Sequence, residues 1–492
     1  MKVEDFDMDL AQADEYIRKH QVDSGEKPVF HVTPPVGWMN DPNGFSVYGG
    51  NIHLFYQFYP YDTKWGPMHW GHVTSKDFVS WKYEPVALAP DAEFDGAGCF
   101  SGSAIEADGK HVLAYTGVRR EKDGGGNERD VQNQCLAVGD GISYEKKGLI
   151  ISGQDLPEGF SRTDFRDPKL WKEDGAYYLA AGNCNENGDG QVVLFFSSDL
   201  KEWNYQGVLA GGDGTFASTW ECPDFFTLDG QSVLICSPQN LKAQKYEFHN
   251  GHNNVYFFGT YDKARHRFHT GEPHSLDYGL DFYAAQTTEL PDGRRVLIAW
   301  MQSWHTNLLP EGQKWHGMMT VPRELTIRGE RILQKPVREL EQYRCNEVSH
   351  QGVEITGHRS LSGIRGRIMD MTVEIMGDAF REFAIDVANN EAYTTTFTYH
   401  REKGLLETDR TYSGLRSDMV CRRLMEVEEK EGKLKLRFLM DKYSVEVFVG
   451  DGEKVSSTVI YTPMEADQVV FSCDGTAKIN VVKYEIRKRQ ED

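Results

Sequence analysis

The stretch HLFYQF, residues 53–58, is short, aromatic and apolar, and its pattern returns along the chain. HVLAYTG from His111, AYYLAAG from Ala176, SVLICSP from Ser232 and RVLIAWM from Arg295 share its texture. Their leucines, Leu54, Leu113, Leu179, Leu234 and Leu297, stand 59, 66, 55 and 63 residues apart. Each run has the composition of a strand and is bounded by Gly/Asp turn signals such as DGK, EDGA, LDGQ and PDGR. Four repeats close on a second signature, an acidic or polar turn leading into an aromatic: SKDFVSW at Trp81, GDGISY at Tyr144, SSDLKEW at Trp203 and YDKARHRF at Phe268. A unit of about sixty residues holding several short antiparallel strands, repeated five times, predicts an all-β fold with a five-bladed β-propeller. An irregular sandwich would not repeat.

Working back from each leucine places polar groups at a recurring offset. Asp41, in WMNDPNG (38–44), lies 13 residues before Leu54, and Asp167, in FRDPK (165–169), lies 12 before Leu179. Glu221, in WECPD (220–224), lies 13 before Leu234, and Ser101, in CFSGSA, lies 12 before Leu113. Alone, Asp-Pro-Asn-Gly reads as a turn: a turn-initiating side chain, a fixed φ and a permissive glycine. The shared offset gives Asp41 partners. Equivalent positions on the innermost strands of a propeller face its axis, so three carboxylates from repeats one, three and four are expected at one mouth of the channel. Like charges in a concave site oppose one another's ionisation, which serves a structural protein poorly and a hydrolase well.

Beyond residue 345 the texture changes. TVEIMG, FAIDV, YTTTFTY, KLKLRFLM, YSVEVFV and INVVKYEI alternate apolar and polar residues, as strands with one buried face do, and YSVEVFVGDGEKVSSTVIY reads as a hairpin folded at Gly450-Asp451-Gly452. A C-terminal β-sandwich closes this many short strands most simply. It carries no dense cluster of acids and bases, so its expected role is support, covering a propeller flank or mediating self-association into a homo-oligomer. The reading divides the chain into a helical N-terminal extension (1–27), the propeller (28–335), a linker (336–348) and the sandwich (349–492).

A chain of 492 residues accommodates two such domains. The formal charge of -21 repels phosphate backbones and anionic membrane surfaces, which argues against nucleic acid or lipid headgroups as partners and leaves a small neutral ligand as the better fit. Eight cysteines, at 99, 135, 184, 222, 236, 345, 421 and 473, form no CxxC pair and no Cys/His ligand spacing, and they read as isolated buried thiols rather than a metal or redox site. The N-terminal MKVEDFDMDLAQADEYIRKHQ lacks the apolar stretch of a signal peptide, and no later run is long enough to span a bilayer, so a cytoplasmic location is expected.

Glycoside hydrolysis in its usual form needs two carboxyl groups, one to protonate the leaving oxygen and one to attack the anomeric carbon or activate water. WMNDPNG, FRDPK and WECPD resemble the three signature blocks of glycoside hydrolase family 32, the invertase, sucrose-6-phosphate hydrolase and fructanase family. WGPMHWGHVTSKDFVSW, CFSGSAI, LDYGLDFYA and VPREL stand in that family's order. The resemblance covers residues 28 to 345, and DKYSVEVFVGDG is similar to the family's C-terminal sandwich. It implies Asp41 as nucleophile, Glu221 as general acid/base and Asp167 as a stabiliser holding fructosyl hydroxyls, with retention through a covalent fructosyl-enzyme. It also implies a pocket lined by Trp38, Asn40, Gln57, Trp65, Phe100, Ser101, Arg166, Cys222, Tyr283 and Trp300. Simpler roles compete at several positions: inner-strand packing for Trp300 and Phe100, an ion-pair partner of Asp167 for Arg166, inert filler for Cys222. Ala285 and Met39 depart from residues common in the family, away from the implied chemistry.

The implied substrate is sucrose or sucrose 6-phosphate. Exo-hydrolysis of imported fructo-oligosaccharides, fructosyl transfer, and a non-catalytic sugar-binding propeller are the alternatives. The chemistry calls for no metal, nucleotide or other cofactor. Arg119, Arg120, Lys314 and His316 are candidate cations for a phosphate if their loops rim the pocket, against the simpler reading of them as solvated loop charges.

Overall fold

The computed structural model describes residues 8–488 apart from residues 123, 213, 215, 306–307 and 415–419. Each repeat is a four-stranded antiparallel sheet. Blade I runs through Gly37–Tyr48, Asn51–Tyr59, His69–Ser75 and Trp81–Tyr83, and blade II through Gly98–Ala107, Lys110–Lys122, Glu128–Gly139 and Tyr144–Ile151. Blade III is Phe160–Glu173, Ala176–Asn185, Gly190–Ser197 and Asn204–Gly211; blade IV is Trp220–Leu228, Gln231–Pro238, Val255–Asp262 and Arg267–Ser275. Blade V comprises Tyr283–Glu289, Arg295–Trp300, Arg323–Arg328 and Arg331–Pro336. The recurring leucine of each repeat is buried in the second strand, and the closing aromatics mark the start of the fourth strand in blades I to IV. Together these form the five-bladed propeller.

The ring closes without a shared blade. Trp315–His316, from the excursion between the second and third strands of blade V, pairs in parallel with Gly37–Trp38 of blade I, and Met319 N–H donates to the Val32 carbonyl at 2.9 Å. In the N-terminal extension the α-helix among the described residues, α1 (Leu10–His20), begins at Asp9, whose carboxylate accepts the Gln12 N–H at 2.8 Å. Leu10, Ala13 and Ile17, spaced for one helical face, pack on the blade I core. No helix among the described residues is long and apolar enough to cross a membrane.

The C-terminal domain is a β-sandwich built around two long antiparallel strands, Met369–Asn389 and Gln468–Ile486. The first half of Met369–Asn389 pairs with Lys433–Asp441 and the second half with Thr394–His400, with a register shift between Met376 and Ala379 where the strand bends from one layer to the other. Ser444–Val449 and Lys454–Val459 form the hairpin expected at Gly450-Asp451-Gly452. The segment read from sequence as linker holds a short 3-10 turn, Arg338–Tyr343, and the first sandwich strand, Arg344–Arg359, already begins within it.

Charges buried from water join the two domains. Arg323 of blade V donates to Asp277 (3.0 Å) and, across the interface, to Glu446 (2.6 Å) and Ser457 (2.6 Å), with its guanidinium between the rings of Phe282 and Phe448. His31, on the chain leading into blade I, bridges Asp441 (2.9 Å) and Glu446 (3.0 Å), and Asp441 also accepts the N–H groups of Val29 and Phe30. Burial disfavours the charged imidazole, but hydrogen bonds and charge from both carboxylates outweigh it and lift His31 to about 9. Arg410 pairs with Asp281 in the same interface.

Removing Arg323 takes the ion-pair partner from buried Asp277 and leaves Glu446 with His31 alone, so Arg323→Met is expected to destabilise the protein by about 3–5 kcal/mol in urea unfolding. Because His31 is raised on folding, its contribution is complete below about pH 6.5 and lost as pH rises through about 9. The Tm of the wild type is expected to fall over that window more steeply than that of His31→Gln, measured by differential scanning calorimetry.

Candidate active site

Every innermost strand is interrupted at the same depth, and those of blades I and III carry a second irregularity, between Asn43 and Ser46 and between Phe160 and Phe165. The register slips by one residue between Met39 and Pro42, Phe100 and Gly102, Arg166 and Lys169, Glu221 and Asp224, and Tyr283 and Gln286. A bulge re-aims the side chain it carries, and these five carry Asn40-Asp41, Ser101, Asp167-Pro168, Cys222-Pro223 and Ala284-Ala285. Proline is tolerated in a strand where a ladder hydrogen bond is already missing, which accounts for Pro42, Pro168 and Pro223 at three of them. In blade V, where no proline stands, the Ala285 N–H is taken by the Asn254 side chain at 3.1 Å. Asp167, Cys222 and Ala284 have φ of 64, 48 and 57°, left-handed conformations that non-glycine residues hold only when their surroundings impose them.

The bulges bring the three carboxylates to one pocket of about 530 Å³ at the propeller axis. Asp41 accepts from Asn40 Nδ2 (3.0 Å) on one oxygen and from Ser101 Oγ (2.9 Å) on the other, and Asn40 is in turn held by Trp38 Nε1 (2.7 Å). Asp167 receives the Cys222 N–H at 2.9 Å, while its own N–H donates to Thr116 Oγ1. Cys222 Sγ lies 3.7 Å from Asp41 Oδ2 and 3.6 Å from Asp167 Oδ2, so its single proton serves one carboxylate at a time. Burial and the neighbouring carboxylates push this thiol far up, which makes it a donor and not a thiolate.

Glu221 is gripped on both oxygens. Arg166 Nε donates to Oε1 at 2.8 Å and Tyr283 OH to Oε2 at 2.5 Å, and the Tyr283 hydroxyl has a second acceptor in the Ser237 carbonyl at 3.2 Å. Arg166 also reaches Asp164 (3.0 Å) and Gln132 (3.2 Å). The charges of Glu221, Asp167 and Asp164 overcome burial and keep this guanidinium firmly protonated. Burial pushes Asp41 up to about 6, with the charge of Glu221 adding to the shift and the Asn40 and Ser101 hydrogen bonds opposing it. Asp167 is raised as well, by burial and then by Glu221, against the pull of Arg166.

Of the ten residues expected to line the pocket, Asn40, Gln57, Trp65, Phe100, Ser101 and Arg166 reach its surface. Trp38, Cys222, Tyr283 and Trp300 stand behind it in one apolar cluster and act through the residues they support. Trp300 is fully buried against Trp38 and Trp304, which fits the packing role. Arg166 is hydrogen-bonded to Glu221 and not to Asp167. The pocket also takes in Asp130, Gln132, Asp164, Gln239, His252 and Trp304, which the sequence reading missed. Asp164 had a signal, since it lies two residues before Arg166 and so on the same face of its strand. The four proposed phosphate cations lie elsewhere: Arg119 and Arg120 are on the strand Lys110–Lys122 and border a separate pocket, Lys314 borders another, and His316 is a buried strand residue edge-on to Trp38. Of the four, Lys314 alone stands outside a strand, and none lines the pocket.

A pair of carboxyl groups with different surroundings, beside a third and a fixed cation, at the axial mouth of a propeller is the apparatus of a glycosidase. Comparison with known proteins narrows the class. Residues 31–336 match the glycosyl hydrolases family 32 N-terminal domain and residues 339–488 the family's C-terminal domain. The chain is 38% identical over 466 residues to a sucrose-6-phosphate hydrolase of Bacillus subtilis, covering 92% of each protein. It is 37% identical over 463 residues to a raffinose invertase of Escherichia coli, covering 92% of this chain and 93% of that one. Among solved structures, the Bombyx mori GH32 beta-fructofuranosidase BmSUC1 superposes with a TM-score of 0.84 at 34% identity, over 97% of this chain and 98% of that one. The chain belongs to glycoside hydrolase family 32.

With a folded pKa of about 6 against an ordinary 3.8, ionisation of Asp41 costs the folded state stability, in full above about pH 6 and not at all below about pH 3.8. Asp41→Asn is therefore expected to raise Tm at neutral pH by roughly 2–4 °C, with the gap closing as pH falls toward 4. A variant less stable than wild type at neutral pH contradicts that cost.

Proposed function

We propose that the protein is a retaining β-fructofuranosidase that hydrolyses the terminal β-D-fructofuranosyl bond of sucrose or its 6-phosphate. The observation that carries this reading is the contrast between two carboxyl groups in one pocket: Asp41 with two short-range donors and a free face toward the pocket, Glu221 held between a guanidinium and a phenol. The names borne by the relatives, sucrose-6-phosphate hydrolase and raffinose invertase, and a Bombyx mori structure of the same fold in complex with sucrose support the substrate class.

In this reading Asp41 attacks C2 of the fructosyl unit while protonated Glu221 gives its proton to the departing oxygen. Tyr283 accommodates the two states of Glu221. Its hydroxyl donates to Ser237 when Glu221 Oε2 carries a proton and swings back to Oε2 when the carboxylate is ionised. Ionised Glu221, held by Arg166, then takes a proton from water, which attacks C2 and releases fructose from Asp41 with retained configuration. C2 is a ketose carbon, so positive charge develops there in both steps, and the Asp167 carboxylate stabilises it while accepting fructosyl hydroxyls.

Reducing-sugar release from sucrose tests the assignment. Glu221→Gln is expected to lower kcat on the order of 10²–10⁴-fold, and Asp41→Ala by more; wild-type rates in both overturn it. Because the attacking Asp41 must be ionised, kcat/KM is expected to fall below about pH 6. Ser101→Ala removes a hydrogen bond that favours the charged form, so its acid limb is expected to move to higher pH. An unmoved or lowered limb contradicts the role given to Ser101.

A further inference from the structure

We infer that the part of the pocket receiving the leaving group is built for an uncharged sugar, so that this enzyme prefers sucrose, or another neutral fructosyl donor, to sucrose 6-phosphate. The inference rests on the β-fructofuranosidase reading above and specifies its substrate class. A sugar phosphate is close to a dianion at neutral pH and needs cations where its phosphate lies. The pocket offers the reverse. Besides Asp41, Asp167 and Glu221, which serve the reaction with either sugar, Asp130 and Asp164 add two carboxyl groups to the lining, and Arg166 and His252 are the basic side chains among the described residues lining it. Arg166 is already engaged by Glu221 at 2.8 Å and Asp164 at 3.0 Å. His252 is lowered by burial and stays neutral.

A guanidinium paired with one of the lining carboxylates does not fill the gap. Arg120 stands behind Asp130, 3.5 Å from its carboxylate, and faces a separate pocket of about 320 Å³ with Arg119, which is itself tied to Glu121. A phosphate approaching Arg120 from the catalytic side meets Asp130 first. The rest of the rim suits a neutral ring. Trp65 is 47% exposed, edge-on to Phe100, and Trp304 lies in the pocket wall. Indole faces cover the C–H surfaces of a sugar, and the amide of Gln239 and the imidazole of His252 are uncharged partners for its hydroxyls.

The test is kcat/KM for sucrose and for sucrose 6-phosphate at neutral pH, at about 0.01 M and about 0.1 M salt, where the screening length falls from about 30 to about 10 Å. The expected result is at least about a tenfold preference for sucrose at low salt, with the phosphate ester gaining as salt rises and sucrose unaffected. Asp130→Asn is expected to raise the ratio of phosphate ester to sucrose, and Arg120→Ala to leave that ratio where it was. A phosphate ester turned over faster than sucrose, losing rate as salt rises, or losing it selectively in Arg120→Ala, overturns the inference and leaves the fructofuranosidase reading intact. Turnover of neither sugar overturns both.

Discussion

Three carboxyl groups held together away from bulk water repel one another, and much of this architecture exists to tolerate that repulsion. One buried guanidinium, Arg166, sits among them, and neutral donors from Asn40, Ser101, Cys222 and Tyr283 serve both Asp41 oxygens, Asp167 Oδ2 and Glu221 Oε2. No single strand could present these groups. They come from all five blades, and each blade delivers its share through a bulge at the same depth. The second strands of blades III and IV behind them are largely buried and paired on both sides, so the strained backbone at Asp167 and Cys222 is fixed by its surroundings. What remains uncompensated appears as the raised Asp41 and Asp167.

The sandwich contributes at a distance. His31 is clamped between two sandwich carboxylates ten residues before Asp41, and the backbone of the next residue, Val32, accepts from Met319 on the segment that closes the ring. The chain therefore arrives at the first inner strand already fixed in position. Arg323, whose strand belongs to blade V, is fixed by the same Glu446. The domain interface thus locks the blades that meet at the closure, where a propeller without a shared blade is most free to open.

The propeller was legible because its repeat is written twice, in the leucine runs and in the aromatics that begin the outer strands. The carboxylate triad was legible because a constant offset from those leucines is a constant position on the inner strand. The bulges were not, since an extra residue shows only when both partners of a ladder are known; the prolines at 42, 168 and 223 were their one trace. Trp38, Cys222, Tyr283 and Trp300 share the neighbourhood of the site but stand one layer behind its surface, a distinction that strand pattern does not carry. Gln239, His252 and Trp304 come from loops, and Asp130 and Gln132 from the third strand of blade II. Tertiary packing alone brings these five to the axis. The start of the sandwich at Arg344 was masked by EQYRCNEV, whose polar residues look like linker because the strand they form is an exposed edge.

The central claim is that Asp41 forms a bond to the fructosyl carbon while Glu221 handles the protons. Its most direct test is to trap the intermediate in Glu221→Ala, using a fructoside whose leaving group needs no protonation, and to map the adduct by mass spectrometry of a proteolytic digest. The account predicts one fructosyl group on the peptide carrying Asp41, accumulating because the base that would activate water is gone. An adduct on Asp167, or release of fructose with inverted configuration and no adduct at all, contradicts it.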